Sequence, residues 1–229
     1  VGLYVFERVL RPLWVTSFLV GIAPGTEAMV INALEALIGR GPTLQSNFTW
    51  MLLYSLVMLL IYDLVFFLIH YSEHKIPTLW AIHKVHHSAE VLTPLTRYRE
   101  HFLEGPLYAA GAAVSFGAAG GIFGWLFDSN ISQATLFNLG FFALLLGFNG
   151  SFRHYHVAFH YPHWLSKWLH SPVMHHTHHS YLGKHRDTNL AAVTSLWDRL
   201  FGTLYIPEKD EYTPWGLGPG NQEQDRSFC

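Results

Sequence analysis

The chain contains a single cysteine and few charged residues. Cys229 is the last residue of the sequence, so the chain offers neither a disulfide framework nor a thiolate metal site. Only 13% of the 229 residues are charged, whereas about 25% is usual in a soluble domain. Because 50% of the residues are hydrophobic and 16% are aromatic, the composition favours an integral membrane protein.

An excess of basic charge is also lacking. Lysine and arginine number 14 against 16 acidic residues, which gives a net charge of -2 with histidine neutral. A protein that binds nucleic acid needs a basic surface to neutralise phosphates. We therefore expect no nucleic-acid partner.

Long apolar runs are abundant, and they predict about four transmembrane helices. A run of roughly 20 apolar residues crosses a hydrocarbon layer about 30 Å thick. The second run contains one charged residue, Asp63, and the third is rich in glycine and alanine, which favours close packing of helices. The predicted spans cover about residues 11–23, 50–69, 106–127 and 131–150.

All sixteen histidines lie in residues 70–101 and 154–185. They include a His-x3-His motif that begins at His70 and His-x2-His-His motifs that begin at His83 and His175. Positions i, i+3 and i+4 share one face of an α-helix, so we expect each motif to direct its imidazoles toward one point. Because these motifs supply more nitrogens than one metal ion binds, they predict two metals with four or five nitrogens each.

The order of the runs predicts where this site lies. The second span ends just before His70, and the fourth ends just before His154. Residues 70–105 and 151–203 therefore emerge at the same membrane face. These segments hold more lysine and arginine than the connections on the opposite face, so the positive-inside rule predicts a cytoplasmic location.

Together these features predict an all-α integral membrane protein. About four transmembrane helices would carry a cytoplasmic, histidine-rich helical cap that holds a dimetal site. We expect residues 1–229 to form a single domain. Within it, residues 206–229 are rich in proline, glycine and charge and are expected to form a cytoplasmic tail.

Several segments, taken in order, resemble the fatty acid hydroxylase and sterol desaturase superfamily of integral-membrane di-iron enzymes. The resemblance implies two iron ions, O2 as co-substrate, a separate electron-donor protein and a lipid substrate that is hydroxylated or desaturated at a C–H bond. The segments that carry it are His70 to His74, Trp80 to Glu90, Arg99 to Glu104, Ser171 to Ser180, Arg186 to Asn189 and Leu196 to Thr203.

The resemblance also implies a set of metal ligands. The family has a further histidine or pair of histidines after the fourth span. His156 and His160 have helical i, i+4 spacing and are slightly favoured for this role, with His154 as the close alternative. The remaining implied ligands are His70, His74, His83, His86, His87, His175, His178 and His179.

Other polar residues are expected to orient these ligands. Asp63 lies seven residues before His70 on the same predicted helix face. We expect it to accept a hydrogen bond from a ligand histidine, and the alternative is a polar contact between spans. Further candidates for such contacts are Glu73, Glu90, His101, Glu104, Asp187 and Asn189.

The predicted function is O2-dependent hydroxylation or desaturation of a lipid by a membrane di-iron oxidoreductase. The alternative is a non-catalytic, metal-binding subunit of a larger membrane complex. Expected partners are the bilayer, the lipid substrate, the electron donor and a possible oligomeric or membrane-complex partner. The motifs do not distinguish sterol, fatty acyl, alkylglycerol and carotenoid substrates, because they concern the metal site and not its substrate.

Overall fold

The structure, a computed structural model, describes residues 2–127 and 152–219. Within these residues it contains α-helices, short 3-10 turns and two isolated β-bridges, so the prediction of an all-α fold is confirmed. The predicted span 131–150 lies outside the described residues. The helices are α1 (Gly2–Gly21), α2 (Ala23–Ile38), α3 (Phe48–Lys75), α4 (Pro77–His87), α5 (Glu104–Phe127), α6 (His163–Ser166), α7 (Pro172–His178) and α8 (Leu196–Phe201).

Three helical segments of the described chain are long and apolar enough to cross a membrane: Pro12–Ile38, Phe48–Lys75 and Glu104–Phe127. The first is longer than the expected span 11–23, because helix resumes at Ala23. Pro24 lies in the first turn of α2, where proline removes no intrahelical hydrogen bond and its fixed φ suits the helix. It therefore begins a second helix where the sequence suggested an end.

Helices α1, α2, α3 and α5 form the helical base of the protein. Helix α5 is at its centre, because the other three all pack against it. A Cβ atom at Gly117 would lie 2.4 Å from the carbonyl oxygen of Ala23 on α2. A Cβ at Gly111 would lie 2.6 Å from Cδ1 of Ile69 on α3. The expected role of small residues in close helix packing is therefore confirmed for α5.

Large apolar side chains are exposed along α1 and α2. Val20 is 73% exposed, and Leu37 is 81% exposed. Contiguous apolar surface of this kind is rare on a soluble monomer. It suits helices that face the hydrocarbon of a bilayer.

The helical base positions the cap. Helix α3 ends at Lys75, and α4 begins almost at once at Pro77. Helix α5 begins at Glu104 and runs back along α3. The last turns of α3 and the first turn of α5 therefore lie at the same end of the base, where residues 76–103 and 152–219 form the cap.

The end of the described chain packs on this cap. The indole N–H of Trp215 donates to the carbonyl of His176 at 3.1 Å, and Trp215 forms a β-bridge with Ser180. The backbone N–H of Tyr181 donates to the carbonyl of Pro214 at 3.2 Å. This part of the predicted tail is therefore an ordered wall of the cap.

Candidate metal centre

Nine largely buried imidazoles meet at the cap end of α3 and α5. They form two groups, and within each group the candidate ligand atoms lie within 4.8 Å of one another. The groups adjoin, because the rings of His87 and His179 stack with centroids 4.5 Å apart. The five-histidine group comprises His70, His74, His83, His87 and His178, and the four-histidine group comprises His86, His154, His175 and His179.

Each His-x2-His-His motif is divided between the two groups, which corrects the expectation that its imidazoles face one point. On α4, His83 and His87 join the five-histidine group, whereas His86 joins the four-histidine group. At 3.6 residues per turn, residue i+4 lies about 40° from residue i around the helix, and residue i+3 lies about 60° to the other side. At α7 the assignment is reversed: His175 and His179 join the four-histidine group, and His178 joins the five-histidine group.

In the five-histidine group, oxygen atoms fix four of the imidazoles through Nδ1. A backbone carbonyl only accepts hydrogen bonds, so a histidine paired with one carries its proton on Nδ1 and leaves Nε2 free to bind metal. Carboxylates favour the same tautomer. His70 donates to the Leu190 carbonyl at 2.7 Å, His178 to the Thr188 carbonyl at 2.9 Å, His83 to Glu104 at 2.7 Å and His74 to Asp187 at 3.2 Å.

The Nε2 atoms of this group face one another. Nε2 of His83 lies 3.0 Å from Nε2 of His70 and 3.2 Å from Nε2 of His87. The Nε2 atoms of His74 and His178 are buried and have no hydrogen-bond partner among the described residues. Lone pairs held this close repel each other unless a cation lies among them. The donor set therefore fits a metal ion that binds imidazole nitrogen.

The four-histidine group shows the same convergence. Nε2 of His175 lies 2.9 Å from Nε2 of His154 and 3.1 Å from Nε2 of His179. The Thr96 hydroxyl lies 3.4 Å from Nδ1 of His154, so this contact is weaker than the carbonyl and carboxylate contacts of the other group. The nitrogens can hold a second metal ion.

Burial favours the neutral imidazoles that metal binding requires. Removal from water lowers the pKa of six cap histidines of the two groups, and repulsion from neighbouring imidazoles adds to the effect. These residues are His83, His87, His154, His175, His178 and His179.

Two buried carboxylates flank His83. Glu104 accepts its Nδ1–H, as expected for a residue that orients a ligand. Glu73 lies 3.4 Å from the same nitrogen and accepts a 2.6 Å hydrogen bond from the hydroxyl of Tyr108. Negative charge here would offset part of the charge of a bound metal ion. No sequence motif indicated Tyr108, which follows the Arg99 to Glu104 segment.

The expected contact between Asp63 and a ligand histidine is wrong. Asp63 instead accepts hydrogen bonds of 2.6 to 2.9 Å from the backbone N–H groups of residues 192–194 and from the Thr194 hydroxyl. Seven helical residues separate Asp63 from His70 by about 10 Å along α3, which is too far for direct contact. Asp63 holds the loop whose Leu190 carbonyl orients His70.

A second buried carboxylate, which sequence reasoning missed, holds the same loop. Asp198 accepts hydrogen bonds from the N–H groups of Leu190 and Ala191 at 2.7 and 3.1 Å, and from the Thr203 hydroxyl at 2.7 Å. Burial raises the pKa of Asp198 to about 6. Asp198 lies in the segment from Leu196 to Thr203, one of those that carry the family resemblance.

The histidine supplied after the fourth predicted span is His154, so the preference for His156 and His160 is wrong in this structure. His154 is buried within the four-histidine group. His156 and His160 are exposed, and the chain between them is not helical. The i, i+4 spacing therefore does not bring these two side chains to one face.

Three other residues that were expected to orient a ligand histidine make different contacts. His101 touches Glu104, which accepts its backbone N–H at 2.8 Å, and is not in either group. Asn189 joins the backbone of Met174 to that of Tyr205. Glu90 is exposed, so it does not support a buried ligand.

Asp187 does contact a histidine of the five-histidine group, as expected. The hydrogen bond from His74 and the neighbouring Lys75 lower the pKa of Asp187 to about 2.

Two cavities reach the groups from different sides. The cap cavity, of about 530 Å³, has both charged and apolar residues in its walls and touches the five-histidine group. It is lined by residues that include His74, His87, His178, Lys84 and Arg186. The three-helix cavity, of about 210 Å³, lies between α1, α3 and α5 and touches both groups through His70, His83, His86 and His175.

Comparison with known proteins gives consistent relatives. The model of the fatty acid hydroxylase family matches residues 55–203. The chain is 27% identical over 168 residues to alkylglycerol monooxygenase of Xenopus tropicalis, 29% over 177 residues to that of Danio rerio and 24% over 182 residues to the ornithine lipid hydroxylase OlsE of Rhizobium tropici.

These alignments cover 72%, 72% and 73% of this chain, but only 32%, 32% and 47% of the respective relatives. The chain thus spans about a third to a half of the length of the curated relatives it matches. No solved structure matches it significantly.

Proposed function

We propose that this chain, which belongs to the fatty acid hydroxylase family, is a di-iron membrane oxidoreductase that uses O2 to hydroxylate a lipid C–H bond. The observation that carries the proposal is the convergence of nine buried imidazoles into two adjoining groups whose Nε2 atoms face one another. Lone pairs this close together repel one another unless a cation binds between them, so the donor set fits metal binding.

The chemistry that two bound irons would supply is binding and reductive cleavage of O2 and oxidation of a neighbouring C–H bond. Overall, one oxygen atom of O2 enters the C–H bond and the other leaves as water, with the consumption of two electrons and two protons. The electrons come from a separate electron-donor protein. The relatives are named a monooxygenase and a hydroxylase, which favours hydroxylation over desaturation.

The residues of the chain prepare the site for this reaction. The Leu190 and Thr188 carbonyls hold the protons of two imidazoles on Nδ1, so that their Nε2 atoms face the metal position. Glu104 and Asp187 do the same with carboxylates, which also make the imidazoles better donors. A substrate carbon bound in the three-helix cavity would lie against both groups.

A lipid substrate is supported by where this cavity lies. Its walls below the imidazoles come from α1, α3 and α5, and α3 and α5 are candidate membrane spans. A molecule dissolved in the bilayer reaches such a cavity without crossing water. The relatives are named for alkylglycerol and ornithine lipid, both of which have long hydrocarbon chains.

We also propose that the cap faces the cytoplasm. Lys84 and Arg186 lie on the cap and Lys75 lies at the end of α3 beside it, whereas Arg40 lies in the connection at the opposite end of the base. In a Cys229→Ser background, we expect Lys209→Cys to react with a membrane-impermeant maleimide only from the cytoplasmic side. The matched Arg40→Cys variant should react only from the other side, and the reverse pattern would overturn the proposed orientation.

The activity test uses detergent-purified, iron-loaded protein with a reductant, isotopically labelled O2 and a panel of single-chain and sterol lipids. We expect one labelled oxygen atom in a lipid product, detected by mass spectrometry. The His178→Ala variant should give no product. A protein that holds both irons yet oxidises no lipid in the panel, with several electron donors, would support the accessory-subunit alternative instead.

A further inference from the structure

The three-helix cavity is elongated and runs along the helices away from the imidazoles. On α5 its walls include Gly105, Ala109 and Ala112, which recur at helical spacing and share one face. On α3 the lining runs from His70 back to Tyr62. Eight residues of helix rise about 12 Å, so the cavity extends that far from the imidazoles into the helical base.

The cavity is more polar near the imidazoles than at its far end. Near the imidazoles its walls include Glu100 and Glu104. Farther along, α5 contributes the methyl groups of Ala109 and Ala112 and the ring of Tyr108, whose hydroxyl is bonded to Glu73. The facing walls are the rings of Phe66 and Tyr62 of α3 and the side chain of Val15 of α1. An occupant with one polar end and one hydrocarbon chain would match both regions.

The depth of the cavity in the bilayer fixes which way such a lipid points. The imidazoles lie at the ends of the spans, at the level where lipid headgroups meet the hydrocarbon. The cavity then runs toward the bilayer centre, as the chain of a lipid does in its own leaflet. A lipid that keeps its bilayer orientation therefore presents a carbon near its headgroup to the imidazoles.

The size of the cavity limits the occupant to a slender group. Its volume is about 210 Å³, below the roughly 300 to 1,000 Å³ of pockets that enclose drug-sized ligands. A linear chain fits between the helices, whereas a fused ring system would have to separate them. The close approach of α3 and α5 at Gly111 resists such separation.

From these observations we infer that the substrate reacts as a single linear hydrocarbon chain seated in the three-helix cavity, that oxygen enters at a carbon near its headgroup, and that Ala112 limits the depth to which the chain extends. This inference rests on the proposed function for the reaction, but the binding mode is tested separately. It selects acyl or alkyl lipids over sterols.

The test pairs Ala112→Phe with Val114→Phe. Val114 is on the same helix, is 39% exposed and is not part of the cavity lining, so its variant controls for the added ring. Each protein is photolabelled as purified, with its metal retained and without reductant, using single-chain lipids that carry a diazirine near the headgroup or in mid-chain. Labelled peptides are then identified by mass spectrometry.

We expect the mid-chain probe to label the part of α5 around Ala109 and Ala112, and the headgroup-proximal probe to label the part around Gly105. A misfit of one methylene in an apolar pocket changes selectivity by about 10- to 200-fold. Ala112→Phe should therefore reduce mid-chain labelling, and turnover of long relative to short chains, by at least about tenfold. Val114→Phe should resemble the wild type, and both variants should retain their metal.

Labelling of Trp80 or Tyr181 in the cap cavity would overturn the inference, as would wild-type labelling of Ala112→Phe. Equal competition by a sterol, or oxygen at the far end of the chain, would also contradict it. Because photolabelling needs no turnover, an inactive wild-type protein would refute the proposed function while leaving the binding result to be read independently.

Discussion

The two histidine groups share ligand chemistry but differ in what surrounds them. In the five-histidine group, His70 and His178 are oriented by backbone carbonyls at 2.7 and 2.9 Å, and His83 by a buried carboxylate. In the four-histidine group, the hydroxyl contact to His154 is 3.4 Å long. Nδ1 of His179 is buried without a partner among the described residues.

The charges near the two groups also differ. Glu104 and Asp187 contact histidines of the five-histidine group. Beside the four-histidine group, the buried Arg153 contributes to lowering the pKa of His154 and His175. Beside the five-histidine group, the cation Lys75 is paired with Asp187 at 2.6 Å. Oriented ligands and nearby carboxylates strengthen metal binding, whereas a nearby cation weakens it. The two metals should therefore not be equivalent, and the five-histidine group should hold its metal more tightly.

Loss of a ligand should have the largest effect. In His83→Ala, the five-histidine group loses the imidazole whose Nε2 faces both His70 and His87, and Glu104 loses its imidazole partner. We expect iron content to fall and activity to drop by more than about 100-fold, beyond the range for loss of an outer partner. The matched His156→Ala variant removes an exposed imidazole and should retain its iron content and its activity. Elemental analysis and turnover check the pair, and equal losses would contradict the ligand assignment.

Removal of a carboxylate partner should affect one group selectively. Glu104→Gln keeps the shape of the side chain but removes the nearer of the two carboxylates beside His83. We expect affinity at the five-histidine group to fall by about 10- to 100-fold, with the four-histidine group little changed. Competitive chelation followed by metal analysis would show this as a change in the order of metal loss. Parallel weakening of both metals would refute the asymmetry.

Removal of the loop anchor should chiefly reduce stability. Asp63→Asn cannot accept all of the hydrogen bonds from residues 192–194, and an unsatisfied buried donor costs about 1 to 3 kcal/mol. A loss of that size lowers the thermal midpoint of a chain this long by roughly 2 to 4 °C per kcal/mol. Thermal unfolding in detergent measures it, with exposed Asp210→Asn as the control. An unchanged midpoint would mean that the loop is held mainly by Asp198.

The smallest effect is expected at the four-histidine group. Thr96→Val removes the hydroxyl that lies 3.4 Å from His154, and so long a contact contributes little. We expect metal affinity to fall by less than about tenfold, below the range for a strong outer partner. The same chelation assay measures it. A loss as large as that of Glu104→Gln would show that the two groups are equally dependent on their outer contacts.

Sequence spacing was sufficient to predict most of the site. Helical i, i+4 pairs such as His70 with His74 and His83 with His87 do lie together, because helix geometry is local. The glycines of α5 likewise predicted the close helix packing that is observed. The division of each His-x2-His-His motif was predictable in principle, since residues i+3 and i+4 point about 100° apart.

Other features depended on contacts between distant segments. His154 enters the four-histidine group and His156 does not, because the chain turns immediately after Arg153, and no local pattern indicates that turn. The contact of Leu190 with His70 joins residues 120 positions apart. Asp63 was recognised as unusual within a span, but its partners come from a loop 129 to 131 residues away.

The most direct test of the central claim is the metal content of the wild-type chain, purified in detergent from iron-replete cells and measured by elemental analysis. Two adjoining imidazole groups predict about two irons per chain, one of which is released first by a chelator. At most one metal per chain, or zinc at both groups, would contradict the di-iron account.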